Sequence, residues 1–235
     1  MLVAAAVCPC PPLLVPEVAA GAAPELDVVR AACQEALDAV RAAEPDLLVV
    51  VGEGADDALH EAGARGSFRP FGVDVDVVLG ARAAGADSTV LPPSLAVGAW
   101  LLARAGWDGP VRGYEVTGER SWAVNGEDGV RIAGMAERVG LLVMGDGTAC
   151  RTLKAPGYLD DRAEGVDAGI AAALRGLDSD GWFAGLDRGL ARELKISGYS
   201  PWQILSAAWQ KDRGTGRLLY EGAPYGVGYF VASWT

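Results

Sequence analysis

Three short apolar runs, each of strand length and each stopped by a loop rich in glycine or proline, constrain this chain more than any other feature. Leu2 to Val7 ends at Pro9-Cys10-Pro11-Pro12, Asp46 to Val51 at Gly52-Glu53-Gly54, and Leu141 to Met144 at Gly145-Asp146-Gly147. Such runs read as strands buried on both faces, the hallmark of a parallel sheet covered by helices. Helical patterns lie between them. Pro24 to Ala43 carries Leu26, Val29, Cys33, Leu37 and Val40 at spacings of three or four, which makes one apolar stripe. Pro24, Glu25 and Asp27 suit its first turn, where proline needs no donor and carboxylates meet the positive helix end. A short helix over Asp56 to Ala62, a strand over Val73 to Leu79, a helix over Ser94 to Ala105 and a strand over Val111 to Val116 continue the alternation. Helices over Arg162 to Leu174, Trp182 to Leu194 and Pro201 to Lys211 follow, the last with Ser200 as its cap. Two strands, Arg217 to Tyr220 and Val227 to Trp234, close the chain. The predicted fold class is therefore α/β: a single domain over residues 1–235, three layers α/β/α around a central, mostly parallel or mixed sheet.

Composition narrows the function. About half of the 235 residues are apolar, enough for a substantial core. Thirty-one acids against 20 bases give a net charge of −11, which argues against nucleic acid or an anionic membrane as partner. The longest apolar stretch, Leu95 to Ala103, is about half of the ~18 residues a membrane span requires. Met1 to Val7 lacks the basic start and cleavage site of a secretory signal, so a cytoplasmic location is expected. The four cysteines, Cys8, Cys10, Cys33 and Cys150, are expected as thiols, with Cys33 in the core.

Ligands in open α/β sheets collect beyond the carboxyl ends of the strands. The first loop supplies Cys8 and Cys10, the second Glu53 with His60 close behind, and the third Asp146, Thr148, Cys150 and Arg151. Thiolate, carboxylate and imidazole all ligate metals, and three loops at one sheet end can converge. Each residue also has a plainer role. Cys8 and Cys10 read equally as structural thiols, Glu53 as a cap for the segment from Asp56, and His60 as a solvated or ion-paired residue on a surface helix.

Pro9-Cys10-Pro-Pro-Leu-Leu-Val-Pro-Glu17 resembles the Pro-His-Pro-Pro-x-x-x-Pro-Glu opening of LigB-type class III extradiol dioxygenases and their Memo-like relatives. Val49-Val-Val-Gly-Glu-Gly54 resembles the family's second strand and its Ser-Pro-His-Gly turn. Met144-Gly-Asp-Gly-Thr148 resembles Ser-Gly-Asp-Leu-Ser-His, and Ala223-Pro-Tyr-Gly-Val-Gly-Tyr229 the closing strand. The likeness spans nearly the whole chain. In that family ferrous iron sits on two histidines and a glutamate, and a further histidine acts as acid and base. By position the ligand histidines fall at Cys10 and Glu53, the acid/base histidine at Thr148 to Cys150, and the late glutamate near Ile196, with Glu193 close by.

None of these positions holds histidine; the sequence contains one, His60. The resemblance therefore implies a divergent relative that keeps the pocket without the two-histidine iron site and binds a small molecule or a partner there. An alternative keeps an enzyme, an oxidoreductase or hydrolase, with zinc or iron on Cys10, Glu53 and His60, with Asp146 and Thr148 as catalytic groups. Cys8, Cys150, Arg151 and Tyr225 are the expected ligand-binding residues. A third reading is an interaction subunit or homo-oligomer, since the resemblance implies a family that can form oligomers and the chain carries seven tryptophans.

Overall fold

The computed structural model describes residues 1–81, 89–118, 120–209 and 214–235. Its strands are β1 (Leu2–Cys8), β2 (Leu47–Gly54), β3 (Ala58–His60), β4 (Arg65–Ser67), β5 (Asp76–Val78), β6 (Val111–Thr117), β7 (Val139–Met144), β8 (Gly216–Gly222) and β9 (Tyr229–Trp234). Its helices are α1 (Pro16–Ala19), α2 (Asp27–Ala42), α3 (Pro93–Arg104), α4 (Trp122–Ala133), α5 (Ala163–Arg175), α6 (Trp182–Gly185), α7 (Arg188–Glu193) and α8 (Tyr199–Ala208). Seven strands form the main sheet in the order β3-β6-β2-β7-β1-β9-β8. The four inner strands β6, β2, β7 and β1 run parallel. The flanking strands β3, β9 and β8 are antiparallel to their neighbours, so the sheet is mixed.

The central strands alternate between two cores. Ala5, Val7, Val49, Val51, Leu141 and Val143 face one side, where they meet Ile132 of α4, Ile170 of α5, Phe183 of α6, Ala191 of α7 and Trp202 of α8. Ala4, Ala6, Leu48, Val50, Leu142 and Met144 face the other, against Val29, Cys33 and Leu37 of α2 and Leu95 and Leu102 of α3. Side chains of period two on a strand covered on both faces must be apolar throughout, which is why these runs are continuous. The three-layer α/β/α arrangement expected from the sequence is the one found. Helix α3 lies close to the sheet because it presents Gly98, where a Cβ would come within 2.7 Å of Val50.

Several local expectations are corrected. Asp56 to Ala62 is not a helix: Ala58–His60 pairs with β6 at the sheet edge. The helix expected from Pro24 begins at Asp27, residues 20–26 forming 3-10 turns instead. Trp182 to Leu194 is two helices, because Leu186 and Asp187 are extended and the Asp187 carboxylate caps α7. Ser200 is not a cap; α8 starts at Tyr199, and the Ser200 hydroxyl donates to the Thr117 carbonyl at 2.9 Å. The expected end of that helix, Lys211, lies outside the described residues. Among the described residues, no helix is long and apolar enough to cross a membrane.

Candidate functional site

Cys8 and Gly52 both lie level with Met144, from either side of β7. The loops that follow these three strands therefore leave the sheet at one end, with Asp146 between Cys10 and Glu53. They open onto a cavity of about 510 Å³ lined by Cys10, Glu53, Asp146, Ser197, Tyr225 and Tyr229, with an apolar wall that includes Pro12, Leu13, Pro93 and Val227. A concave, largely apolar site with a few convergent polar groups is the form small-molecule sites take.

Asp146 is the best-held group. Its Oδ1 accepts the Cys10 N–H at 2.9 Å, and its Oδ2 accepts from the Cys10 Sγ at 3.8 Å. Its own N–H donates to the Ser197 Oγ at 2.9 Å, and its carbonyl accepts the Gly198 N–H at 3.0 Å. The turn between α7 and α8 is thus stitched to the end of β7. That stitch requires glycine at 145: a Cβ there would lie 2.4 Å from the Gly198 Cα. Glu53 is placed from the other side, where the Ser94 hydroxyl of α3 donates to its carbonyl at 2.5 Å. Its carboxyl lies over Gly118, where a Cβ would come within 2.7 Å of Oε1.

Withdrawal from water sets the protonation of this cluster. Burial raises the Asp146 carboxyl to about 7, against the opposing pull of the Cys10 N–H and thiol. Burial raises Glu53 to about 7 as well. The Cys10 thiol is pushed well above its ordinary value, first by burial and then by Asp146, with Ser197 opposing. Tyr229 is raised by burial and by the proximity of Asp146 and Cys10. At neutral pH the thiol and phenol hold their protons and the two carboxyls are poised to gain or lose one. Such groups can exchange protons with a bound molecule, while a protonated thiol is a poor nucleophile.

Of the residues expected here, Cys10, Glu53, Asp146 and Tyr225 line the cavity, Tyr225 also donating to Glu25 at 3.0 Å. The others do not. Thr148 is fully buried, its N–H and hydroxyl both bound to Asp167 of α5 at 2.9 and 3.0 Å. Arg151 pairs with the same Asp167 at 2.9 Å. Cys150 is buried and donates to the Gly157 and Leu194 carbonyls. Cys8 is buried beside Cys33, which raises its thiol. His60 is neither solvated nor on a helix. It is buried at the sheet edge, its Nε2 2.9 Å from Glu115 and its Nδ1 3.3 Å from the Thr89 hydroxyl. The positions carried over for a late glutamate also depart: Ile196 is buried, and Glu193 pairs with Arg162 at 2.9 Å.

A metal centre does not fit these residues. Among the described residues no three His, Cys, Asp or Glu side chains come together in a way that could hold a metal ion. Cys10 spends its thiol proton on Asp146, and the sole imidazole is engaged by Glu115. Sequence reasoning missed Ser197 and Tyr229. Tyr229 was hidden inside an apolar strand. Ser197 stands in a tight interhelical turn, far from any strand end, and only its contact with the Asp146 backbone reveals it.

No family model matches the chain, and no curated protein matches it either. Among solved structures it is similar to the crystal structure of the uncharacterized protein JW3007 from Escherichia coli K12. That similarity has a TM-score of 0.52 at 15% sequence identity and covers 98% of this chain and 99% of that one. It extends over both chains almost end to end and establishes a shared fold.

Proposed function

We propose that the chain is a divergent relative of the class III extradiol dioxygenases that lacks their two-histidine iron site and binds a small molecule in the retained pocket. One observation carries this reading: Cys10, at a position that the resemblance assigns to an iron ligand, is hydrogen-bonded to Asp146 inside a cavity of about 510 Å³. The cavity survives while its donors are turned inward. Its wall of prolines, Leu13, Val227 and Tyr229 suits an apolar body, and Glu53 and Asp146 supply hydrogen bonds to polar substituents. A second reading, an enzyme with Asp146 as proton acceptor, is favoured by that carboxyl titrating near neutrality.

The test is metal analysis of protein purified anaerobically without chelator, followed by oxygen uptake with catechol after ferrous iron is supplied. Metal well below one equivalent and no uptake are expected. Stoichiometric iron with catechol turnover would overturn the proposal.

A further inference from the structure

A second cavity, of about 420 Å³, adjoins the first and shares Glu53 and Ser197 with it. Its opposite wall is the turn and exposed side of α7, which contributes Arg188, Arg192 and Lys195. Three cations around one small cavity are notable in a chain whose net charge is −11. The acids of the same segment are engaged elsewhere than on Arg192 and Lys195. Glu193 is paired with Arg162 at 2.9 Å, and the Asp187 carboxylate caps the Leu190 N–H at 2.8 Å. The side chains of Arg192 and Lys195 have no ion-pair partner among the described residues. Among the described residues, Glu53 is the one acid in the lining.

Lys195 reaches this position at a conformational cost. It stands just after α7 with φ of 57°, in the left-handed region where glycine is the usual occupant. A lysine lines the cavity here at a position where glycine would have ended the helix with less strain.

We infer that the α7 cavity binds the anionic end of a small organic acid, a carboxylate or phosphate ester, whose apolar body lies in the Cys10–Asp146 pocket. The inference rests on the small-molecule reading above and specifies the ligand class. Guanidinium and ammonium groups meet carboxylate or phosphate oxygens directly, while the adjoining wall of Pro12, Leu13 and Val227 excludes a ligand that is charged throughout. The shared residues, Glu53 and Ser197, would lie against the junction of the two halves.

The probes are benzoate, phenyl phosphate and the neutral benzyl alcohol, titrated separately into the full chain at low ionic strength and followed by amide chemical shifts. At least one anion is expected to bind about tenfold more tightly than benzyl alcohol, with shifts at residues 188–198. The preferred anion tells carboxylate from phosphate. In Arg192→Gln and Lys195→Gln the preference falls severalfold. Lys195→Gly relieves the left-handed strain, so it folds at least as well while losing the anion preference, which separates ligand contact from damage to the fold. Equal binding of benzyl alcohol and both anions, or a preference unchanged in the Lys195 variants, overturns the inference and leaves the pocket reading standing. Absence of binding by all three also overturns it, whereas stoichiometric iron with catechol turnover overturns the reading on which it rests.

Discussion

Replacing Asp146 with Asn tests whether a dry carboxyl, rather than a charged one, sits at the centre of the pocket. An asparagine keeps the Oδ1 that accepts the Cys10 N–H and fills the same volume, but it does not titrate. In the native protein the Asp146 carboxyl is raised from 3.8 to about 7 by burial. Below the lower value both folded and unfolded chains hold the proton. Between the two the unfolded chain has lost it and the folded chain retains it, so stability falls as pH rises through this window and levels off above about 7. A shift of about 3 units corresponds to about 4 kcal/mol in full. The side chain keeps some contact with solvent at the pocket mouth, which screens the penalty to an expected figure of about 2 kcal/mol. Urea unfolding of wild type and D146N, followed by tryptophan fluorescence, measures this as a difference that cancels the other titrating groups. D146N should gain on wild type by about 2 kcal/mol between about pH 4 and about pH 8. Parallel curves over that range would refute the assignment of a buried, proton-holding carboxyl.

Three further outcomes follow from the same geometry. His60→Ala should destabilise by about 1–3 kcal/mol, because it leaves Glu115 buried beside an empty space, yet leave metal content and benzoate binding unchanged; altered metal content would restore His60 to the site. Gly145→Ala drives a Cβ to 2.4 Å from the Gly198 Cα, so a loss of about 1–3 kcal/mol is expected in thermal or urea unfolding, with perturbed Ser197 and Asp146 resonances. Cys10 should react with iodoacetamide at neutral pH more than about tenfold more slowly than a free thiol, since its thiol is raised well above the ordinary value. D146N should speed that reaction, as read by mass spectrometry of the alkylated peptide.

The parallel centre of the fold was legible because burial on both faces leaves strands no polar residues, as in Leu47 to Val51 and Leu141 to Met144. Helix α4 was not, since Trp122–Ala133 contains two glycines that lower its helical propensity. One of those glycines is what its packing uses: a Cβ on Gly129 would lie 2.5 Å from the Ile204 carbonyl of α8. Edge strand β3 escaped for a different reason. Three residues carry no period, and pairing with β6 decides their conformation. At the site, strand ends pointed to Cys10, Glu53 and Asp146, while Thr148 and Arg151 were misread because their partner, Asp167, lies on a helix nineteen and sixteen residues away.

A pocket that presents a thiol and two carboxyls differs from one that presents imidazoles in more than the identity of the donors. A histidine offers an electron pair while neutral, so several can face one pocket at little electrostatic cost. A thiolate and two carboxylates cannot, because each ionised group carries a desolvation penalty and repels the others. Cys10, Glu53 and Asp146 relieve that cost by holding protons, as the upward displacement of all three reflects. A cation could enter only by displacing those protons, so its affinity would fall steeply as the pH is lowered. A molecule that accepts or donates hydrogen bonds meets no such barrier. The positive charge that would balance an acidic ligand stands instead one cavity away, on Arg192 and Lys195. The electrostatics of the two cavities thus agree: the inner one favours neutral, hydrogen-bonding groups over ions, and the outer one favours an anion.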